Sequence, residues 1–277
     1  MKRIWKAGLA ALIALCLGGR ALAAEDEVAL VEPFFTRDAT VGAEFNLFTE
    51  ITNRSGGQDY TVSASGTAVF LNKLEVTFTL PFIVADEDAN GDERGFGDQE
   101  LDLKYKLFES KALQLVVSPG LGLGFPYGEG DKGLGGTGFW NPFIVAGKGF
   151  DIGEGLPRLT VQMELGYEQQ ITTTNAQRAE ARDAGLSSVK EKAFIANLAV
   201  GADFWDGKFT PGVELNLRSV LDSTFVKDEG VRVSISPGFW LYPFKEFPMG
   251  FGLASQWAVS EDKDFFSNVL FAIKYPL

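Results

Sequence analysis

The chain has no histidine and only one cysteine, and these two shortages exclude much chemistry. Histidine is the common general base near neutral pH and a frequent metal ligand, so its absence excludes Ser–His nucleophiles and histidine-ligated metals. Cys16 lies in a segment that we expect to be removed, which leaves no thiol for a disulfide or for redox chemistry. Enzymes that use carboxylates or lysines are still allowed, but we expect no catalytic site, no cofactor and no metal.

Residues 1–24 have the three parts of a secretory signal peptide. Basic residues precede an apolar stretch, residues 7–17, that is too short to span a bilayer as a helix. Residues 21–23 read Ala-Leu-Ala, a small-x-small cleavage box. We therefore expect the mature chain to begin near Glu25 and to be exported to a Gram-negative cell envelope.

The chain is acidic, with 37 Asp and Glu against 25 Lys and Arg and a formal net charge of −12. Loss of the four basic residues of the signal peptide makes it −16, from 21 bases against 37 acids. Binding of nucleic acid requires clustered Lys and Arg that neutralise phosphates, so we expect no nucleic-acid partner. Acidity that only keeps the protein soluble is the simpler alternative.

No run of the mature chain is apolar enough for a transmembrane helix, yet it contains 24 Phe and 32 Gly residues. Instead, apolar and polar residues alternate, which indicates strands with one apolar and one polar face. In 97–108, for example, Leu101 and Leu103 oppose Glu100 and Asp102. The alternation predicts about twelve strands near the length of tilted membrane strands, at 39–53, 58–71, 73–85, 97–108, 112–126, 138–149, 157–170, 192–205, 208–222, 230–243, 247–260 and 265–277.

The connections alternate in length as well. Short turns follow the even-numbered segments, and longer polar loops such as 86–96 and 171–191 follow most of the odd-numbered ones. Short periplasmic turns, long extracellular loops and an even strand number are typical of bacterial outer-membrane barrels. We therefore predict an all-β fold, a transmembrane antiparallel up-and-down β-barrel over 39–277, with 25–38 as a periplasmic or luminal segment. A soluble sandwich is the alternative, which strands of this length disfavour.

Two further features fit a barrel in contact with outer-membrane lipid. Residues 265–277 alternate to the chain end and resemble the C-terminal signal read by the barrel-assembly machinery, although Pro276 and Leu277 depart from its usual form. Aromatic residues beside the short turns predict one interfacial girdle, made of Phe70, Phe108, Phe150, Phe204, Trp205, Phe209, Tyr242, Phe244 and Phe247.

One segment resembles a known family. Residues 95–105 read Gly-Phe-Gly-Asp-Gln-Glu-Leu-Asp-Leu-Lys-Tyr, similar to the G-x-G-D-x-x-L-x-x-K-Y segment of the MetA-pathway phenol-degradation family of outer-membrane barrels. Residues 74–82 and the glycines of 133–138 fit the same pattern, and the resemblance covers about residues 40–150. It implies a transmembrane barrel linked to uptake of phenol-like or other hydrophobic compounds, with no catalytic residues.

The loop before this segment resembles a calcium loop. Asp86, Asp88, Asn90 and Gly91 occupy the first, third, fifth and sixth places of an EF-hand. The twelfth place, which requires a bidentate Glu, is Gly97, and strands rather than helices flank the loop. We therefore expect a polar extracellular loop without a specific metal site, and whether it holds cations loosely is left open.

The polar strand faces should line the lumen. Acids outnumber bases there, so we expect a passive channel for small, hydrophobic or aromatic solutes, with a lumen that favours cations or neutral solutes. The alternative is a structural or ligand-binding barrel without transport, in which charged side chains pair and fill the lumen. Alternate glycines at 120–124 either widen the lumen or curve the strand. The lumen-facing candidates are Glu100, Asp102, Lys104, Lys106, Glu164, Glu168, Glu214, Arg218 and Arg232.

Overall fold

The described part of the chain covers nearly all of the predicted strands. The expected signal peptide, most of the loops 86–96 and 171–191, and Phe247 lie outside the described residues. The same holds for Asp88, Asn90 and Gly91 of the calcium-loop pattern. No helix long and apolar enough to cross a membrane occurs in the described residues. The computed structural model describes residues 28, 30–54, 57–86, 94–128, 138–153, 156–172, 191–223, 230–244, 249–260 and 267–277.

The described strands form one antiparallel sheet that closes on itself. The first strand pairs with the second and also with the last, from Glu44 opposite Pro276 to Asn53 opposite Ser267, so that the sheet has no free edge here. The strands are β1 (Glu44–Arg54), β2 (Gly57–Phe70), β3 (Leu74–Asp86), β4 (Gly95–Phe96), β5 (Gln99–Tyr105), β6 (Phe108–Ser110), β7 (Leu115–Phe125), β8 (Gly138–Phe150), β9 (Arg158–Thr172), β10 (Glu191–Asp203), β11 (Phe209–Ser223), β12 (Val231–Leu241), β13 (Gly250–Ala258) and β14 (Ser267–Pro276).

The short strands β4, β5 and β6 share one position in the barrel. β3 pairs with β4 and β5, and β7 pairs with β5 and β6. The predicted segment 97–108 is interrupted at Lys106, whose N–H donates to Lys73 O at 2.7 Å. When β4, β5 and β6 are counted together as one strand, the barrel has twelve strands, which confirms the predicted fold class.

The first predicted strand begins too early. Residues 39–43 do not pair in the sheet, and β1 begins at Glu44. Ala39 and Val41 are instead buried, at 0% and 3% exposure. Alternation alone cannot distinguish a strand from a segment inside the barrel in which every second side chain is buried, as in residues 39–43.

Exposed apolar side chains cover the outside of the barrel. On β10, Phe194, Leu198 and Val200 are 40–42% exposed, while Asn197 and Ala199 between them are buried on the inner face. The other long strands repeat this arrangement. A continuous apolar exterior around a closed sheet is the surface that hydrocarbon requires, so the exterior is the membrane face.

The described turns 71–73, 111–114 and 204–208 lie at one end, here called the short-turn end. Phe70, Phe108, Phe150, Phe204, Trp205 and Phe244 are 37–72% exposed there, in agreement with the predicted girdle. Tyr242 is an exception. It contacts the position of the lumen-facing Gly250 and lies 6.3 Å from the buried Trp240 ring. Tyr242 has the same inward direction as Trp240 two residues earlier, so its place in the predicted girdle, which was based on nearness to a turn, was wrong.

A charge on the lipid face should destabilise the barrel much more than the same charge one residue away. Val62 points outward near the middle of β2, and Ser63 points into the lumen. Val62→Arg should lower the free energy of unfolding by about 2–4 kcal/mol, because the guanidinium would lie in hydrocarbon. Ser63→Arg is the matched control, with a smaller loss. Urea titration of vesicle-inserted protein measures both, and equal losses would contradict the assignment of faces.

Candidate functional site in the barrel lumen

Residues 30–43, here called the luminal segment, run inside the barrel without regular secondary structure and bend at 34–36 and at 39–40. They bond to Ser118, Gln162 and Glu214, each of which lies within five residues of the start of its strand. These strand starts are at the short-turn end. The luminal segment therefore occupies the half of the lumen nearer that end.

Glu214 holds the middle of the luminal segment by its backbone. The N–H groups of Phe34, Phe35 and Thr36 donate to its two carboxylate oxygens at 2.5–3.2 Å. Glu214 is 3% exposed, so these bonds lie away from bulk water. Hydrogen bonds to an ionised acceptor are stronger than neutral ones, and here they satisfy three successive amides that no neighbouring strand reaches.

Neutral side chains of the wall bond to further backbone groups of the luminal segment. Gln162 accepts from Ala39 N–H at 2.7 Å and donates to Val31 O at 2.7 Å. Ser118 donates to Ala39 O at 2.7 Å, and Val31 N–H donates to Thr160 Oγ1 at 3.1 Å. Side chains of the wall thus form the hydrogen bonds that the backbone of a neighbouring strand would form in a sheet.

Arg37 is the main cationic contact of the luminal segment. Its guanidinium bonds to Glu164 and lies 3.3 Å from Asp102 Oδ1, with the Phe143 ring 4.2 Å below. A Cβ at Gly122 would lie 2.8 Å from that Asp102 oxygen and 3.1 Å from Arg37 Nη2. A side chain at position 122 would therefore displace the ends of Asp102 and Arg37 from this arrangement.

Lysines pair with further carboxylates near the short-turn end. Lys104 Nζ lies 2.9 Å from Glu75 Oε1 and donates to Asp38 O at 2.9 Å. Lys274, on the last strand, pairs with Glu32 at 2.5 Å and also with Glu44. Removing one partner of such a buried pair leaves an uncompensated charge, which is strongly destabilising.

Glycines of the inner wall make room for aromatic rings. Gly238 and Gly252 face Phe34, whose ring carbons would lie 2.8 and 2.6 Å from an added Cβ. The Phe34 ring stacks on Trp240 with centroids 4.7 Å apart. Gly120 and Gly124 behave alike, since an added Cβ would lie 2.2 Å from the Phe143 ring at Gly120 and 2.2 Å from the Phe139 ring at Gly124. The space that the glycines clear is filled by rings, so it does not widen the lumen at these positions.

The half of the lumen nearer the long loops is less crowded. Arg218 Nη2 bonds to Glu168 at 2.8 Å and to Glu191 at 2.6 Å. Arg232 lies directly opposite Arg218 on the neighbouring strand. Glu100 is exposed within the lumen.

Two cavities of the described lumen are large enough to hold a small solute. One of about 300 Å³ lies beside the luminal segment, against β1, β2, β3 and β5. The other, of about 250 Å³, lies against β10–β13 and has no residue of the luminal segment in its lining.

The nine lumen-facing candidates divide by partner. Asp102, Lys104, Glu164 and Glu214 meet the luminal segment, whereas Lys106 pairs with Glu109 at 2.9 Å. The others lie on the half nearer the long loops. Three neutral site residues were not predicted as candidates from the sequence, namely Gln162, Ser118 and Thr160. Alternation places them on the same inner face as the charged candidates, but only charged side chains were considered. Arg37 was overlooked because its segment had no assigned place.

Solved structures of outer-membrane proteins share this architecture. An outer-membrane channel from Pseudomonas putida F1 superposes with a TM-score of 0.60 at 14% identity, covering 89% of this chain and 100% of that one. The NanC porin gives 0.57 at 12% identity, over 83% of this chain and 100% of the porin. The KdgM porin gives 0.50 at 10%, over 84% and 99%. At these identities the likeness shows the fold alone, which is that of outer-membrane barrels.

No protein-family model matches the chain, and no curated protein matches it. The resemblance of residues 95–105 to the MetA-pathway phenol-degradation family therefore stays a prediction. The structural neighbours agree with it only in the coarser statement that the chain has the fold of an outer-membrane barrel.

Loss of the Glu214 carboxylate should loosen the luminal segment. Thr36 is 4% exposed, so Thr36→Cys places a single buried thiol in the mature chain. Adding Glu214→Ala removes the bonds to three amides, and maleimide labelling should become at least about tenfold faster. Glu50→Ala is the matched control, since Glu50 bonds to Asn268 and Thr52 instead. Equal labelling rates in both backgrounds would show that Glu214 does not hold the segment.

Proposed function

We propose that the chain is a passive outer-membrane channel for small, hydrophobic or aromatic solutes. The observation that supports it most is the open space of about 300 Å³ beside the luminal segment. A barrel with a purely structural role would have no need to leave such space beside a segment that fills part of the lumen. The solved structures that share the fold are named as a channel and as porins, which also favours passage of solutes.

The lining of this cavity suits solutes that are neutral or positively charged. Its net charge is −2, because five carboxylates face three bases, and carboxylates along a pore favour cations over anions. The acids are Glu32, Asp38, Glu44, Glu75 and Asp102, and the bases are Arg37, Lys104 and Lys274.

The same lining contains aromatic surface. Phe34, Phe48, Phe143 and Trp240 line the cavity between the polar groups. Aromatic rings prefer offset-stacked or edge-to-face contacts with one another, which a phenol-like solute could make with this wall. The resemblance over about residues 40–150 points to the same class of compound.

A structural or ligand-binding barrel without transport is the second candidate. It is favoured by the number of wall residues, Glu214, Gln162, Ser118 and Glu164 among them, that bond to the luminal segment. A segment held so firmly would close the lumen permanently. The two candidates differ in one property, conductance.

Export through a cleaved signal peptide at 1–24 and insertion by the barrel-assembly machinery are parts of the same proposal. They are supported by the sequence of residues 1–24 and by the alternation of 265–277.

Deleting residues 30–38 from the full chain should enlarge the pore. The deletion removes Arg37 and Phe34, which fill the centre of the lumen. Planar-bilayer recordings should then show small channels for the unchanged protein and channels of at least about twofold higher conductance for the deletion. Arg158→Ala is the control, because it removes a partly exposed ion pair with Asp151 at the short-turn end. A silent barrel in both forms would favour the structural candidate.

Removal of two carboxylates should abolish the preference for cations. Glu44→Gln with Glu75→Gln leaves three acids against three bases in the lining of the cavity beside the luminal segment. The reversal potential across a KCl gradient should move toward zero, because the net charge that selects the ion is lost. The control is Glu109→Gln, a carboxylate outside that lining. An unchanged reversal potential would mean that this cavity is not on the conducting path.

A further inference from the structure

Two carboxylates share one ammonium beside the luminal segment. Lys274 Nζ pairs with Oε2 of Glu32 and with Oε2 of Glu44, and all three residues line the cavity of about 300 Å³. Lys104, which lines the same cavity, pairs with Glu75 instead. One of the two negative charges around Lys274 is therefore left without a counter-charge, and burying a charge is costly unless it is paired. A second positive charge bound here would remove that imbalance.

Asn46 adds an unused hydrogen-bond acceptor beside these carboxylates. Its Nδ2 donates to Glu44 Oε1 at 2.6 Å. Because a carboxylate only accepts hydrogen bonds, this contact fixes the orientation of the amide and directs Oδ1 elsewhere. Asn46 is 5% exposed and lines the cavity, and its Oδ1 has no hydrogen-bond partner among the described residues. A buried acceptor without a donor is costly, so a ligand that brings a donor is favoured here.

The side chains of Glu32, Glu44, Asn46 and Lys274, here called the acidic corner, leave three oxygens for a ligand. Lys274 uses Oε2 of both carboxylates, so Oε1 of Glu32 is left as an acceptor. Oε1 of Glu44 receives the Asn46 bond and can accept a second donor, and Oδ1 of Asn46 is the third oxygen. A primary ammonium group has three N–H donors and no acceptor, which matches these oxygens.

An organic ammonium suits this place better than a metal ion or an anion. No group of three or more His, Cys, Asp or Glu side chains that could hold a metal ion occurs in the part of the chain that the structure describes. An anion would add to the net charge of the cavity lining, which is −2 from five acids and three bases. A neutral solute could bond to Asn46 but would leave the unpaired negative charge as it is.

Phe48 provides aromatic surface next to the acidic corner. It follows Asn46 by two residues on the inner face of β1, about 7 Å along the strand, and it lines the same cavity. A ring that is joined to an ammonium by one or two carbons can therefore contact Phe48 in an offset-stacked or edge-to-face arrangement. The volume of about 300 Å³ is at the lower end of the roughly 300–1,000 Å³ of ligand pockets, which favours a single ring.

We propose that the cavity beside the luminal segment binds a small arylalkylamine, with its ammonium group in the acidic corner and its ring against Phe48. The inference rests on the proposed channel, since it names the class of solute that this cavity takes and the residues that bind it. Asn46 and Phe48 are then the residues that distinguish this class from other cations.

The test uses the full mature chain in detergent, with benzylamine as the probe and calorimetry or ligand-detected NMR as the measurement, after subtraction of binding to protein-free micelles. Mildly alkaline buffer keeps the carboxylates ionised and the amine protonated. Benzylamine should bind saturably. Benzyl alcohol, which lacks the charge, and methylamine, which lacks the ring, should each bind at least about tenfold more weakly. No binding of benzylamine, or equal binding of benzylamine and benzyl alcohol, would overturn the proposal without any variant.

Substitutions then locate the site. Asn46→Leu should weaken benzylamine binding at least about tenfold and leave the weak binding of benzyl alcohol unchanged, because only the ammonium uses Oδ1. Phe48→Ala should weaken benzylamine to the level of methylamine, since the ring contact is lost.

Asn268→Leu is the matched control. Asn268 is also buried, its Nδ2 also bonds to a carboxylate, that of Glu50, and its Oδ1 also has no partner among the described residues, but it lies outside the described lining of this cavity. Heat-modifiable gel migration verifies that each variant is folded. A folded Asn46→Leu barrel that binds benzylamine normally, or an equal loss in Asn268→Leu, would overturn the proposal.

Conductance separates this inference from the proposed function. A barrel that binds benzylamine but conducts nothing would refute the channel and keep the binding site. A barrel that conducts but does not bind benzylamine would keep the channel and refute the site.

Discussion

Hydrocarbon offers no partner to a backbone N–H or C=O, so every polar backbone group within a membrane must be satisfied inside the protein. The pairing of β1 with β14 meets this constraint, because it removes the two edges that an open sheet would expose. Closure also creates an interior, and its width at twelve strands exceeds what the wall side chains alone fill. The luminal segment, the ion pairs and the two cavities all exist because of that width.

The strand pattern could be predicted from the sequence because alternate residues of each strand face lipid on one side and the polar lumen on the other. Leu101 and Asp102 needed no knowledge of neighbouring strands to be assigned to opposite faces. The predicted start of the first strand was wrong because that rule stops applying there. Residues 39–43 alternate between buried and exposed inside the barrel, although they do not pair in the sheet. There tertiary packing rather than solvent decides the direction of each side chain. Tyr242 follows the alternation of Trp240, and it was misplaced only because its nearness to a turn was taken as a sign of the girdle.

The candidate site was less predictable, because its contacts join residues far apart in sequence. Alternation along the strands placed Glu164 and Glu214 on the inner face. The neighbouring sequence does not indicate that Glu164 binds the side chain of Arg37, or that Glu214 binds three backbone amides. Sequence alone suggested that charged residues pair across the lumen. In the structure many of them pair instead with a segment whose position the sequence left open. Gln162 is as central as either glutamate, yet an uncharged residue gives no electrostatic signal.

The C-terminal residues contact the luminal segment and the start of β1. Leu277 N–H donates to Ala43 O at 2.9 Å. Lys274 forms ion pairs with Glu32 of the luminal segment and with Glu44 of β1. A barrel that closed with its interior empty would carry Lys274 with one acidic neighbour fewer. Closure of the barrel between β14 and β1 is therefore more favourable when Glu32 of the luminal segment already lies inside it.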